Sequence, residues 1–361
     1  MHVLQILHQG GGAGSVFSTL HLSIRLARAG LAVRFVCPPG SEVEEAARNA
    51  GLEVHPLALR PRSRRANARA IAELLERHPV DLVNSQSSRD RQAFTWLGLT
   101  GRLKVPVIFT RRQMPLTIWL ENWAASRVAS RVIAVSHAVA EALVRRGTPR
   151  EKVVAVHNGL VPDRVDRPVA AADVALWRER IGWNPEQRVV GIMSRLKDQA
   201  VVLRALHQVE VPVRLVMAGV ARDEGRLDEL ARALPPRHSA VFIPFEPANR
   251  PLYELMEVML LPTRMEGLSQ ALLEGMALGK PSIASAASGN LEVITDGVDG
   301  RLVSATDPAA WAQALTEVLT SEDLARRMGD AARHTARERF SLDRTVERTI
   351  GVYEEVLRSE K

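Results

Sequence analysis

Residues 260–281, LLPTRMEGLSQALLEGMALGKP, place two carboxylates, Glu266 and Glu274, eight positions apart. The apolar run before Pro262 reads as a strand, Glu266-Gly267-Leu268-Ser269 as a turn, and the residues to 278 as a helix. With 1.5 Å of rise per residue, Glu274 lies about 7 Å down that helix from Ser269. A helix start can bind phosphate through bare N–H groups, and Gly267 lets a backbone approach closely. A carboxylate one to two turns below can accept hydrogen bonds from a ribose diol. The spacing therefore suits a nucleoside diphosphate lying along the helix. Glu274 also stands among Ala271, Leu272, Leu273, Met276, Ala277 and Leu278, where a carboxylate needs a reason to be. A second motif, SRLKDQAVVLRAL (residues 194–206), sets Arg195 and Lys197 in a loop between a strand and a helix, with Asp198 as the expected N-cap. Two cations beside a helix start suit a pyrophosphate. The competing reading is a pair of solvated loop cations.

Other chemistry-bearing residues are sparser. The loop GGGAG at 10–14 fails the dinucleotide pattern, because Gly10 and Gly12 would require a third glycine where Ser15 stands. It matches no P-loop either, which leaves a helix-opening loop that either meets a ligand or simply turns the chain. Asp90 in QSSRDRQ and His137 after a strand are candidates for acceptor or sugar contact, with capping or structural roles as the alternative. The one cysteine, Cys37, lies in an apolar run and reads as a core residue, which excludes an internal disulfide framework. No Asp-x-Asp pair occurs, so no metal-bridged diphosphate and no cofactor is expected.

The elements that must position these groups alternate. Strands are expected at 2–7, 31–36, 53–57, 82–84, 105–110 and 131–135, separated by helical patterns that include 15–29, 42–50 and 67–76. A stretch of prolines and charges at 162–168 reads as a linker. The alternation restarts with strands at 188–193, 213–218, 240–243, 258–262 and 281–284, and helices at 199–209, 225–234 and 269–278. This pattern predicts an α/β protein of two Rossmann-like, doubly wound domains, 1–165 and about 166–340, with ligands in the cleft that they face.

The chain has 361 residues, 46% hydrophobic and 25% charged, a globular composition with a net charge of +7. The charge is uneven: through Arg167 there are 24 basic and 13 acidic residues, and beyond it 24 basic and 28 acidic. Arg60, Arg62, Arg64, Arg65 and Arg69 form one cluster. The aromatic content of 4% and the lack of any nucleic-acid-binding motif argue against a nucleic-acid partner. The N-terminus lacks the features of a signal peptide, and no apolar run is long enough to span a bilayer, so a cytoplasmic protein with at most peripheral membrane contact is expected.

The Glu266–Glu274 segment resembles the Glu-x7-Glu region of retaining GT-B glycosyltransferases, family GT4. VIAVSHAVAEALVRRGTPREKVVAVHNGL, SRLKDQAVVLRAL, SGNLEVITDGVDGRLV and RERFSLDRTVERTIGVYEEVL resemble further family segments in the same order. The resemblance implies that Arg195 and Lys197 bind the donor diphosphate, and that Gly267, Leu268 and Ser269 offer backbone groups to phosphates and sugar. It implies that Glu274 binds the ribose, Glu266 touches the transferred sugar, and Gly12 belongs to a first-domain loop facing the reaction. It further implies that 341–361 crosses back to the first domain. Two features depart from the family: Arg195 and Lys197 are two apart rather than five, and in TRRQMP Arg112 stands where many members have a histidine. The implied activity is metal-independent transfer, with retention, from a UDP-, GDP- or ADP-sugar to a glycan or glycolipid of a bacterial surface polymer. The basic first half would then face an anionic membrane or a phosphorylated glycolipid. A GT-B epimerase would instead need an acid/base pair, and a phosphorylase a pyridoxal-binding lysine.

Overall fold

A computed structural model describes residues 1–11, 14–116, 119–221, 225–246 and 248–359. The chain divides into two units, Met1–Gly159 with Leu342–Lys361, and Leu160–Ser341.

The first unit holds a parallel seven-stranded sheet: β1 (His2–Ile6), β2 (Ala32–Cys37), β3 (Glu53–Pro56), β4 (Leu82–Ser85), β5 (Val107–Arg111), β6 (Arg131–Ala134) and β7 (Val153–Ala155). Their order is β3-β2-β1-β4-β5-β6-β7. The central strands β1, β4 and β5 are buried almost throughout because helices cover both faces, and their polar residues gather toward the carboxyl ends. Val3, Phe35, Leu82, Ile108 and Ile133 are fully or almost fully buried. The C-terminal helix, Leu342–Ser359, contributes Val346, Val352, Tyr353 and Val356 to this same core.

The second unit repeats the design with β8 (Arg188–Met193), β9 (Val213–Ala218), β10 (Ser239–Ile243), β11 (Val258–Leu261), β12 (Ser282–Ser285) and β13 (Arg301–Val303), in the order β10-β9-β8-β11-β12-β13. In each sheet the order reverses once, between β1 and β4 and between β8 and β11. Chains leaving the carboxyl ends there turn to opposite faces and open a crevice.

Two local expectations fail. The expected linker is not one: Pro162–Val165 forms a helical turn with Val165 buried, and Ala171–Arg180 is a helix anchored by buried Trp177, with Arg180 stacked 4.2 Å from its ring. Both belong to the second unit, so the chain changes units at Gly159, earlier than the expected 165. Asp198 does not cap the next helix. Gln199 is the N-cap, while Asp198 accepts from the Arg264 main-chain N–H and from its Nε, both at 2.9 Å.

Candidate active site

At the β8/β11 crossing the two sequence motifs meet. The loop after β8 is held by Gln199, fully buried, whose Oε1 accepts from Lys197 N–H at 2.6 Å and whose Nε2 donates to Arg195 O at 2.8 Å. Lys197 extends from this loop to Glu266, and its Nζ donates to Glu266 Oε2. The Asp198–Arg264 pair fastens the same two loops one residue further out. Arg195 is exposed, and among the described residues its guanidinium has no hydrogen-bond or ion-pair partner.

The turn from Glu266 to Ser269 enters the helix Gln270–Ala277, and Ser269 caps it by accepting from Leu272 N–H at 3.2 Å. Gly267 and Leu268 are buried. Gly289 supports this turn from the loop after β12. Its N–H donates to Glu266 O at 3.1 Å, and a Cβ at Gly289 would be driven into the Gly267 carbonyl.

Glu274 is buried in this helix and is not bare. Arg164 Nε donates to its Oε1 at 2.5 Å, and Arg164 Nη2 and Tyr253 OH donate to its Oε2 at 3.3 and 3.2 Å. Burial opposes the charge on Arg164, but the adjacent carboxylate outweighs it and holds the guanidinium above its ordinary range. Arg164 was missed in the sequence because it lies in the segment read as a linker. The signal was Pro162-Asp163-Arg164, a proline-led helical turn.

The first unit has a cavity of about 510 Å³ beyond the carboxyl ends of β1, β4 and β5, lined by His8, Ser87, Arg91, Arg111 and Arg112 among others. Of the three acceptor-side candidates, only Arg112 lines it. Arg112 Nε and Nη2 donate to Gln86 Oε1 at 3.2 and 3.1 Å, and Nη1 donates to Asn158 Oδ1. Gln86 is held in turn by a buried network: Gln86 Nε2 donates to Gln5 Oε1 at 2.8 Å, and Gln5 and Asn84 donate to Tyr353 OH at 2.8 and 2.6 Å.

Asp90 is corrected to a structural role. It is fully buried and completes a capping box with Ser87. Its Oδ2 accepts from Ser85 Oγ at 2.8 Å and from Ser87 N–H at 2.9 Å. Its Oδ1 faces Ser87 Oγ and His8 Nδ1. Burial would raise this carboxyl, but the hydrogen bonds from His8 and Ser87 hold it below its ordinary value. His137 is the exposed first residue of a helix and stacks edge-on against His157, with ring centroids 5.5 Å apart. Gly12 lies outside the described residues. The neighbouring Gly10 and Gly11 pack on Ser41 and Glu42; a Cβ at Gly10 would collide with Ser41, whereas one at Gly11 would meet only the end of the Glu42 side chain. Cys37 is fully buried, its thiol pushed up to about 12 mainly by burial. Within the first unit, Glu53, His55 and His78 are close enough to share a metal ion, but Glu53 Oε1 already accepts from Arg34 and His55 at 2.9 and 2.8 Å.

Two Rossmann-like units, each with charged side chains at the crossing point of its sheet, define a GT-B architecture. Family models agree: residues 12–164 match Glycosyltransferase Family 4, and residues 173–335 match Glycosyl transferases group 1. The chain belongs to this glycosyltransferase family. It is 31% identical over 237 residues to a D-inositol 3-phosphate glycosyltransferase of Xylanimonas cellulosilytica, 62% of this chain and 56% of that protein. The matches span between 55% and 57% of the length of the first curated relatives. Anabaena Alr3699/HepE, solved with UDP-glucose, superposes with a TM-score of 0.83 at 18% identity, covering 98% of this chain and 100% of that one. The lipopolysaccharide outer core galactosyltransferase WaaB, in its apo form, superposes with a TM-score of 0.73 at 16% identity over 100% of both chains.

Proposed function

We propose that this protein transfers a sugar from a nucleotide-sugar donor to a glycan or glycolipid, with retention and without a metal ion. The observation that carries the reading is the meeting of Lys197 with Glu266 at the β8/β11 crossing, on the same helix turn that leads to Glu274. Lys197, Arg195 and the helix start at Ser269 would neutralise the departing diphosphate, which gains negative charge as the glycosidic bond breaks. When the diphosphate draws Lys197 to itself, Glu266 is released to accept hydroxyls of the transferred sugar. Arg164 and Tyr253 keep Glu274 fixed, with oxygen lone pairs left for a ribose diol.

A peripheral place at an anionic membrane, where a bacterial surface glycan would be extended, belongs to the same reading. The first unit, with 26 basic and 16 acidic residues, supports it. So does its exposed cluster Arg60, Arg62, Arg64 and Arg65 around a cavity of about 280 Å³. Among the described residues, no helix is long and apolar enough to cross a membrane.

The test is a thermal-shift screen with UDP, GDP, ADP and their sugars, followed by a nucleotide-release assay with and without EDTA. A tight nucleotide raises the melting temperature by mass action. Stabilisation by one nucleoside diphosphate and turnover undiminished in EDTA are expected. Loss of turnover that Mg²⁺ restores would overturn the metal-free mechanism, and stabilisation by no nucleotide would overturn the activity.

A further inference from the structure

The cavity at the β1/β4 crossing holds more positive charge than its surroundings neutralise. Arg111 is only 8% exposed, and its guanidinium makes one hydrogen bond, from Nη1 to the neutral Asn122 Oδ1 at 3.2 Å. Arg112 reaches only the amide oxygens of Gln86 and Asn158, and Arg91 only the main-chain carbonyl of Ser87 at 3.4 Å. Among the described residues, none of the three forms an ion pair with a carboxylate. The two nearby acids make no direct ion pair with them: Asp90 is taken up by Ser85, Ser87 and His8, and Glu121, exposed at the rim, acts on Arg91 and Arg111 only at a distance. Burial, and after it the charge of Arg91, pulls Arg111 down to about 9 against the opposing pull of Glu121, and burial pulls Arg112 to about 10.

A guanidinium taken out of water without a counter-charge is unfavourable. A fold that keeps three around one cavity, and fixes one of them through Gln86, Gln5 and Tyr353, is organised for an anion that arrives from outside. The helix Ser88–Leu99 also opens on this cavity, where Ser87 and Ser88 line the wall. Its positive end is already met by the Asp90 carboxylate, so the arginines carry the field. One carboxylate would leave two of the cations uncompensated, whereas a tetrahedral dianion can accept from several donors at once. The volume of about 510 Å³ leaves room for the molecule that bears it.

We propose that this cavity binds a phosphate group carried by the acceptor, clamped by Arg111 and Arg112, with Arg91 supplying further charge. The assignment rests on the reading of the first unit as the acceptor half of a glycosyltransferase.

Isothermal titration calorimetry at low salt tests it with inorganic phosphate, acetate and UDP on the wild type, R111Q, R112Q, R111K and the surface control R102Q/K104Q, whose residues are exposed. Phosphate is expected to saturate one site, to weaken by at least ~10-fold in R111Q and R112Q, and to recover partly in R111K. R102Q/K104Q should match the wild type, acetate should not bind, and UDP affinity should stay unchanged throughout. Phosphate bound equally well by R111Q and R112Q overturns the proposal, as does a wild type that binds UDP but no phosphate. A wild type that binds neither fails at the glycosyltransferase reading itself. The melting temperature separates a structural role: without phosphate, R111Q should melt at or above the wild type, since a costly buried charge is gone. A lowered melting temperature with phosphate binding intact would make Arg111 structural and overturn the proposal. Displacement of phosphate by glycerol 3-phosphate assigns a soluble ester, displacement by phosphatidic acid vesicles a lipid-borne one, and displacement by neither overturns the proposal.

Discussion

Glu274 serves two masters, a half-buried arginine and the expected ribose, and the consequences separate in experiment. Glu274→Ala removes the partner of Arg164, whose side chain is 29% exposed. Leaving a largely buried cation unpaired should cost about 2–3 kcal/mol in denaturant unfolding. It should also weaken nucleoside diphosphate binding by about tenfold or more, read by calorimetry. Unchanged affinity would end the ribose role and leave a structural ion pair. Asp90 shows the opposite outcome, for its oxygens are taken up by the capping box. Its depressed carboxyl contributes stability above the ordinary aspartate value, and that contribution is lost as the pH falls through the lower folded value. Asp90→Asn should therefore destabilise the first unit at pH 7 and flatten its acid limb, and an unchanged acid limb would refute the assignment. Cys37 titrates in the other direction. Its contribution is present below pH 9 and is lost as the pH rises toward about 12. A thiol reagent at pH 8 should label it only after unfolding.

At the scale of elements, the apolar runs that form strands were legible because each sheet is buried on both faces: 188–193 and 213–218 match β8 and β9 residue for residue. The segment 162–168 was not legible, because prolines and charges usually mark exposed chain. Its one buried valine and the arginine that reaches Glu274 act through residues remote in sequence. Within the candidate site, the residues of the Glu motif could be read, since their spacing is local. The cavity of the first unit could not, because His8, Arg91 and Arg111 are brought together only by the strand order β1-β4-β5. The loop after β12 likewise acts at a distance, through Gly289 against the Glu266 turn. Gly289→Ala should force that turn apart and lower kcat/KM sharply. Ser269→Ala, which removes only the cap, should cost about 1 kcal/mol of stability. If Gly289→Ala keeps full activity, the Glu266 turn does not need this support.

At the scale of the whole molecule, the net charge of +7 is a strongly basic unit joined to a mildly acidic one. The first unit has 26 basic and 16 acidic residues, and the second 22 and 25. On the proposed reading the anionic donor binds the acidic unit, so its binding would rely on local cations and not on the overall field. The basic unit must owe its excess to something else. On its surface Leu116, Trp119, Leu120 and Trp123 are exposed, Trp119 at 64%. The last three sit at the start of the helix Trp119–Val128, which packs on Ser88–Leu99. Arg65, in the exposed cluster, stacks 5.2 Å from Trp96 of that neighbouring helix. Apolar side chains beside arginines are the composition of a surface that lies on anionic lipid, where each basic residue near the surface contributes about 1 kcal/mol. Sedimentation with vesicles should show binding that requires anionic lipid and weakens as salt shortens the Debye length below about 10 Å. Replacing Arg60, Arg62, Arg64 and Arg65 with glutamine should remove the salt-sensitive part, and Trp119→Ala with Trp123→Ala the remainder. Equal binding to neutral vesicles, or undiminished binding by the arginine variant, would sever the charge of this unit from the membrane and leave the phosphate of the first-unit cavity as the anion proposed for it.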